Sequence, residues 1–335
     1  MPPNAAATTG LADAPGTKKG RIMAAGTRRE ELFEAFMVKL LRRMPLTWAS
    51  WLGGEIGAMR GRAALKSTSL WVQRLRRNIG KFSGITDPVE IDRRVIRFTR
   101  NIGRLYAEYP NLPRLFASGR VEIVGEEHLN DAKEPGILLC CHVGNWELVA
   151  ALAQRWGGAT IPYLPLGGGL RERIALEARR SWPDLELIPA SNDAMTGIEA
   201  VMRLNQAARH GKTLAIFVDE ERQNYIWAPS LGRTLPYAGN RWLAARLAVR
   251  HRRKIGPIFV EPLGLARYRI VIQPPLDQPD GMEGEALSRH LADQIDERVE
   301  AWVRPRIENW YWLPYFEPNL PCPIDPIAKS SGKSV

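Results

Sequence analysis

Short apolar runs separated by helical stretches fix what this chain can fold into. Residues 137–141 are continuously apolar, and residues 213–218 form a second buried-looking run that ends on Asp219. Runs this short and this greasy suit strands covered on both faces, as in a parallel sheet between helices. Residues 121–124, 159–163, 185–188, 255–260 and 268–272 read as further strands. Residues 148–156, 170–181, 194–210, 243–250 and 285–303 read as helices, and Gly211 stands where it can cap the third of them. Strands alternating with helices predict an α/β domain over residues 117–317. Its centre is a mixed, mostly parallel sheet flanked by helices.

The N-terminal third has a different texture. Residues 61–116 carry a helical pattern throughout, and Asp87-Pro88 is a good helix start with Pro just inside. Arg93, Arg94, Arg97 and Arg100 form the polar face of that helix, and such a run is usually solvated surface. Upstream, Leu32, Phe33, Phe36, Met37, Leu40 and Leu41 recur at helical spacing, with Lys39, Arg42 and Arg43 late in the segment. Pro45 breaks it, and Leu46, Trp48, Trp51, Leu52 and Ile56 continue the apolar supply. A basic amphipathic helix beside tryptophans reads as a membrane-surface anchor. The competing reading is that this face packs on the rest of the domain. Charges interrupt residues 33–59, and no uncharged apolar stretch of about 18 residues occurs, so an interfacial helix pair is favoured over a membrane span. Residues 31–116 are therefore expected to be a helical, membrane-associating region that leans on the sheet. Residues 1–30, rich in Ala, Thr, Gly and Pro and then in Lys and Arg, read as a disordered tail without the apolar core of a secretory signal. Residues 318–335 read as a Pro-rich flexible tail.

Lys and Arg number 47 against 36 Asp and Glu, a net charge of +11. A chain this basic is drawn to polyanions: nucleic acid, anionic lipid headgroups or acidic carrier proteins. Arg250-His-Arg-Arg-Lys254 is the densest basic run. It can track phosphates, end a helix or face anionic lipid, but no nucleic-acid recognition motif accompanies it, and nucleic acid is the disfavoured partner. Eleven tryptophans suit an interface with one wet and one greasy side. Three cysteines, two of them adjacent at Cys140 and Cys141, suggest no disulfide framework and a reducing compartment.

The chemistry centres on His142 and Glu147, which follow the 137–141 run across a Gly144-Asn145 turn. In a continuous helix residues five apart sit about 140° around the axis from each other and cannot meet. The pair works only if His142 precedes the helix. Asn145 is a good N-cap, which would put Glu147 in the first turn, able to reach back to His142. One imidazole nitrogen would then be held by an acid and the other left to accept a proton. That is a catalytic triad without its nucleophile; the substrate would supply it, as an alcohol or amine attacking a thioester. By spacing alone, a core histidine satisfied by a nearby acid is the favoured reading. Placement at the carboxyl edge of a sheet, where α/β ligands bind, brings function level with it. Cys141 as a thiol nucleophile is disfavoured, because strand neighbours point to opposite faces. His210, His251 and His290 are scattered without metal-ligand spacing.

The string Gly136-Ile-Leu-Leu-Cys-Cys-His142-Val-Gly-Asn-Trp-Glu147-Leu resembles the His-x4-acid motif of the bacterial lipid A late acyltransferases, of the glycerophosphate and lysophospholipid acyltransferase superfamily. Ala175-Leu-Glu-Ala-Arg179-Arg, Ile216-Phe-Val-Asp219-Glu, Ser230-Leu-Gly-Arg233 and Asn309-Trp-Tyr-Trp-Leu resemble further blocks of that family. The likeness runs from about residue 35 to 317. It implies transfer of a fatty acyl chain from acyl carrier protein or coenzyme A to a hydroxyl of a membrane glycolipid, with a lipid A precursor as the default acceptor. His142 would be the general base and Glu147 its orienting partner. Arg179 would contact phosphate or the developing oxyanion, Asp219 would shape the acceptor site, and Asn145 would join the substrate-binding set. No metal or redox cofactor is implied. The place of work would be the cytoplasmic face of the inner membrane, as a peripheral or monotopic protein. Two segments depart from the family pattern: 219–225 carries more charge, and 164–169 is unusually glycine-rich.

Overall fold

The computed structural model describes residue 32 and residues 35–130, 136–164, 169–190, 194–222 and 224–323. Both proposed tails lie wholly or largely outside the described residues, as does most of the glycine-rich segment.

The expected sheet is present. Strands β1 (Val121–Val124), β2 (Ile137–Cys140), β3 (Ala159–Tyr163), β4 (Leu185–Pro189), β5 (Leu214–Phe217), β8 (Ile255–Gly264) and β9 (Arg267–Ile272) form one seven-stranded sheet. Its order is β1-β9-β8-β2-β5-β3-β4. Every neighbouring pair is parallel except β8 and β9, which form an antiparallel hairpin. β8 runs beyond the expected 255–260 because the hairpin ladder continues after burial stops. Its last residues are exposed, so the apolar signal ends before the strand does. A two-strand ribbon, β6 (Glu221–Arg222) with β7 (Tyr225–Ile226), is too short to leave a periodic trace.

Central strands are covered on both faces, as their uniform apolarity requires. Ile137, Leu139 and Ile216 join one core cluster, and Leu138, Cys140 and Ala215 the other. The first cluster is closed by α2 (Leu70–Ser83), α3 (Pro88–Glu108), α8 (Ala194–Arg209), α9 (Gly239–His251) and α10 (Gly284–Val303). The second is closed by α4 (Leu112–Ala117), α6 (Leu148–Gln154) and α7 (Gly169–Arg180). A short helix, α5 (Glu127–Asn130), follows β1.

Helix α1 (Leu46–Leu65) settles how the N-terminal region packs. Its inward face includes Ala49, Gly53, Gly57 and Gly61, and the three glycines lie directly on α3. A Cβ on Gly57 would stand 2.2 Å from the Thr99 carbonyl oxygen, and one on Gly53 2.4 Å from Ala107 Cβ. Only glycine permits backbones this close. Gly57→Ala gains helix propensity worth about 1 kcal/mol. It also drives a methyl into a carbonyl fixed by the helix ladder, an overpacking that costs on the order of 2–3 kcal/mol. The variant is expected to melt lower than wild type; an unchanged or higher midpoint would show that α1 and α3 can part freely.

The large apolar residues of the same segment turn outward. Phe36, Trp48, Trp51 and Met59 are exposed, so packing on the domain falls to Leu46 and the small residues. Among the described residues no helix is long and apolar enough to cross a membrane.

The arginine run of α3 is less solvated than its pattern suggests. Arg94 and Arg97 pair with Glu308 at 2.9 and 3.1 Å, and Arg100 with Glu55 at 3.2 Å, while Arg93 stays exposed beside Glu90. The Glu308 pairs tie α3 to the segment that crosses the strand ends.

Candidate active site

Parallel pairing of β2 with β5 aligns Cys140 with Phe217. Two residues further along each strand stand His142 and Asp219, at the carboxyl ends of neighbouring central strands. His142 Nδ1 lies 2.8 Å from Asp219 Oδ1, and the His142 backbone N–H donates to Oδ2 at 2.8 Å. Trp310 Nε1 donates to the same Oδ2 at 2.9 Å. Asp219 is fully buried. A carboxylate facing Nδ1 requires a hydrogen there, since a bare lone pair would repel it. Trp312 Nε1 also lies 3.2 Å from Nδ1. An indole N–H can only donate, and the charged, closer Asp219 keeps the Nδ1 hydrogen, so Trp312 serves as a wall. The tautomer follows from this environment: Nδ1 carries the proton and Nε2 the lone pair. Nε2 makes no hydrogen bond to any described residue. The ring is walled by Trp146, Phe217, Tyr311 and Trp312, with 20% of its side chain exposed.

The acid beside the imidazole is therefore Asp219, and the expected pairing with Glu147 is corrected. Gly144, at φ 65°, turns the chain tightly against Val260, and Glu147 leaves this turn toward α7. There Arg179 grips it with two hydrogen bonds, Nε to Oε2 at 2.9 Å and Nη2 to Oε1 at 2.5 Å. Glu147 is only 4% exposed. Burial of Arg179 works against its charge, but the charge and hydrogen bonds of Glu147 outweigh it, and the guanidinium is held more firmly protonated than usual. The same guanidinium lies 5.6 Å over the Tyr163 ring. Asp219, expected to shape the acceptor site, lies against the histidine.

Asn145 is corrected too. Helix α6 begins at Leu148 with Glu147 in the capping position, and the Asn145 side chain makes no cap. It is fully buried and donates from Nδ2 to Glu108 Oε2 at 3.1 Å, facing into the protein rather than toward an open site. Arg233 is likewise committed inward, donating to the Ile226 and Pro229 carbonyls. Cys140 and Cys141 face opposite core clusters. Burial first, and Asp219 next, push the Cys141 thiol well above its ordinary value, which suppresses a thiolate. No cluster of three or more metal-ligating side chains occurs among the described residues.

The match to known sequences spans the whole of this arrangement. Residues 28–315 fit the family described as bacterial lipid A biosynthesis acyltransferases. The chain belongs to that family. His142, Glu147, Arg179, Asp219 and the Trp310–Trp312 segment of this lipid A acyltransferase relative all fall within the matched span. No curated protein sequence matches it. Among solved structures, the 1-acyl-sn-glycerophosphate (LPA) acyltransferase PlsC from Thermotoga maritima is 14% identical. That likeness covers 76% of this chain and 97% of the other, at a TM-score of 0.37.

Sequence reasoning missed the Asp219 partnership and the part played by Trp310 and Trp312. A signal for the first was available: two uniformly apolar strands each give way to a polar residue capable of proton chemistry, and adjacency in the sheet brings those residues face to face. Behind the 142–147 turn lies a cavity of about 240 Å³ lined by Arg97, Asn101, Arg104, Gly144, Tyr268 and Asn309. His142, Glu147 and Asp219 do not line it. The 250–254 basic run sits at the opposite end of the sheet from His142, where β8 starts. Within it, Arg253 is buried and donates to the Gly211 carbonyl at 3.2 Å.

Proposed function

We propose that this acyltransferase moves a fatty acyl chain from a thioester, on acyl carrier protein or coenzyme A, to a hydroxyl of a membrane glycolipid. A lipid A precursor is the first candidate acceptor. One observation carries the reading: His142 holds its Nδ1 hydrogen against a buried carboxylate and leaves Nε2 open among aromatic rings.

In this scheme Nε2 removes the proton of the acceptor hydroxyl as its oxygen attacks the thioester carbonyl. A C–O bond forms and the carbonyl pair moves onto oxygen. Collapse of that intermediate breaks the C–S bond, and the departing sulfur takes the proton from the imidazolium. Asp219 keeps the ring in the required tautomer and offsets its transient charge. The Glu147–Arg179 pair supplies a fixed dipole beside the site, with Arg179 directed to a phosphate or to the oxyanion. The acceptor hydroxyl supplies the attacking electron pair and the proton, the departing sulfur keeps the C–S pair and takes that proton, and the scheme calls on no metal or redox cofactor.

The outward Phe36, Trp48, Trp51 and Met59, with a net charge of +11, support attachment to an anionic bilayer at the cytoplasmic face of the inner membrane. The nucleic-acid reading loses ground, because the basic run closes a helix far from the histidine.

The test supplies purified protein with acyl carrier protein or coenzyme A thioesters, in separate reactions, and vesicles holding a lipid A precursor or another hydroxylated glycolipid. Mass spectrometry is expected to find one added acyl ester on a glycolipid. Thioester hydrolysis alone, with no acylated lipid under any pairing, would sink the proposal.

A further inference from the structure

Glu108 closes α3 and is buried behind the catalytic turn. Tyr268 donates to its Oε2 at 2.5 Å, and Asn145 Nδ2 donates to the same oxygen at 3.1 Å. The other oxygen, Oε1, is shut off from water and has no hydrogen-bond partner. Asn145 Oδ1 is in the same condition. Two side chains already joined by one hydrogen bond thus each keep a buried acceptor without a partner in hydrogen-bond geometry, and Ser50 is the one further hydroxyl facing Glu108. Buried polar groups in folded proteins are almost always satisfied.

One proton resolves both defects. Placed on Oε1, it lets the acid O–H donate to Oδ1 while Nδ2–H donates to Oε2, a closed ring of two hydrogen bonds between a carboxylic acid and a carboxamide. The surroundings favour the neutral acid. The groups facing it are Arg104 from its own helix, Ser50 from α1, Tyr268 from β9 and Asn145 from the turn. Burial raises the carboxyl more than those hydrogen bonds and the charge of Arg104 lower it. Arg104 Nε itself lacks an acceptor, so it makes no hydrogen bond to Glu108. Burial pushes the Tyr268 phenol well up, which keeps its hydrogen available.

We propose that Glu108 is a positioning residue that works as a neutral acid, ring-bonded to Asn145, and so fixes the turn carrying His142 at one end and Glu147 at the other. This rests on the reading of His142 as the base of acyl transfer. It assigns to the N-terminal helices a part in catalysis: α3 sets where the imidazole stands.

Glu108→Gln tests it. The amide oxygen can take the Asn145 and Tyr268 hydrogens, and the amide N–H can donate to Asn145 Oδ1 at every pH. Glu108→Gln is expected to keep wild-type turnover, whereas Glu108→Ala, which frees the turn, lowers kcat about a hundredfold with KM for the thioester little changed. Wild type is expected to lose activity on the alkaline side as the acid ionises, and the Gln variant to lack that loss. Infrared difference spectra read the ring without relying on catalysis: wild type near neutral pH should show a protonated carboxyl band that is absent in Glu108→Gln. A Gln variant as damaged as Ala, or a wild-type spectrum without that band, overturns the proposal. If no acyl transfer is found in any protein, the infrared result still decides the ring while the functional reading alone falls.

Discussion

Asp219→Asn is expected to slow acyl transfer about 10³- to 10⁴-fold, the scale seen when a triad carboxylate becomes an amide. The reason lies in how the donors divide. Asp219 Oδ2 takes two hydrogens, from the His142 backbone and Trp310, and Oδ1 faces Nδ1 alone. An asparagine satisfies more donors with its oxygen at the Oδ2 position, which points its NH₂ at Nδ1. The imidazole must then accept at Nδ1 and carry its hydrogen on Nε2, so it cannot take a proton from the acceptor. His142→Ala should fall to a similar rate, and the double variant hardly lower, because the two residues act as one unit. Single-turnover measurements with a thioester donor check this. A loss under about tenfold in Asp219→Asn, in a protein that melts like wild type, would remove Asp219 from the mechanism.

Glu220, next along the chain, is expected to govern the pH dependence of stability. Its Oε1 accepts from the Asn240 N–H at 2.6 Å, and its Oε2 is buried without a partner. Burial, the leading cause, pushes the carboxyl up to about 8 from an ordinary 4.5. Between those values the folded protein holds a proton that the unfolded chain has released. Stability from this group is therefore complete below about pH 4.5 and is lost as pH rises toward about 8, by on the order of 4 kcal/mol. Glu220→Gln cannot titrate. Denaturant unfolding of both proteins across that window should show their stability difference shifting by this amount in favour of the variant at high pH. Parallel curves would mean that the carboxyl is hydrated and ordinary.

The sheet was legible because its central strands are buried on both faces, which leaves an unbroken apolar run that surface segments cannot mimic. Ile137–Cys140 and Leu214–Phe217 declared themselves in this way. The far half of β8 and the β6–β7 ribbon did not, being held by backbone ladders rather than burial. The site was half legible. His142 and Asp219 were each singled out, but their union depends on strand order, β2 beside β5, which proximity along the chain does not encode. Proximity instead favoured Glu147, and the left-handed turn at Gly144 sends that carboxylate to Arg179. Asn145 looked like a cap because caps are local. Its partner, Glu108, stands 37 residues earlier in the chain, at the end of α3.

The stretch from Asn309 to Trp312 crosses the strand ends late in the chain. Asn309 accepts from the Gly144 N–H, the Tyr311 N–H reaches the His142 carbonyl, and Trp310 clasps Asp219. A ribosome releases these residues only after the whole sheet has emerged. A chain that stops before residue 309 thus holds His142 and Asp219 without the segment that ties both in place.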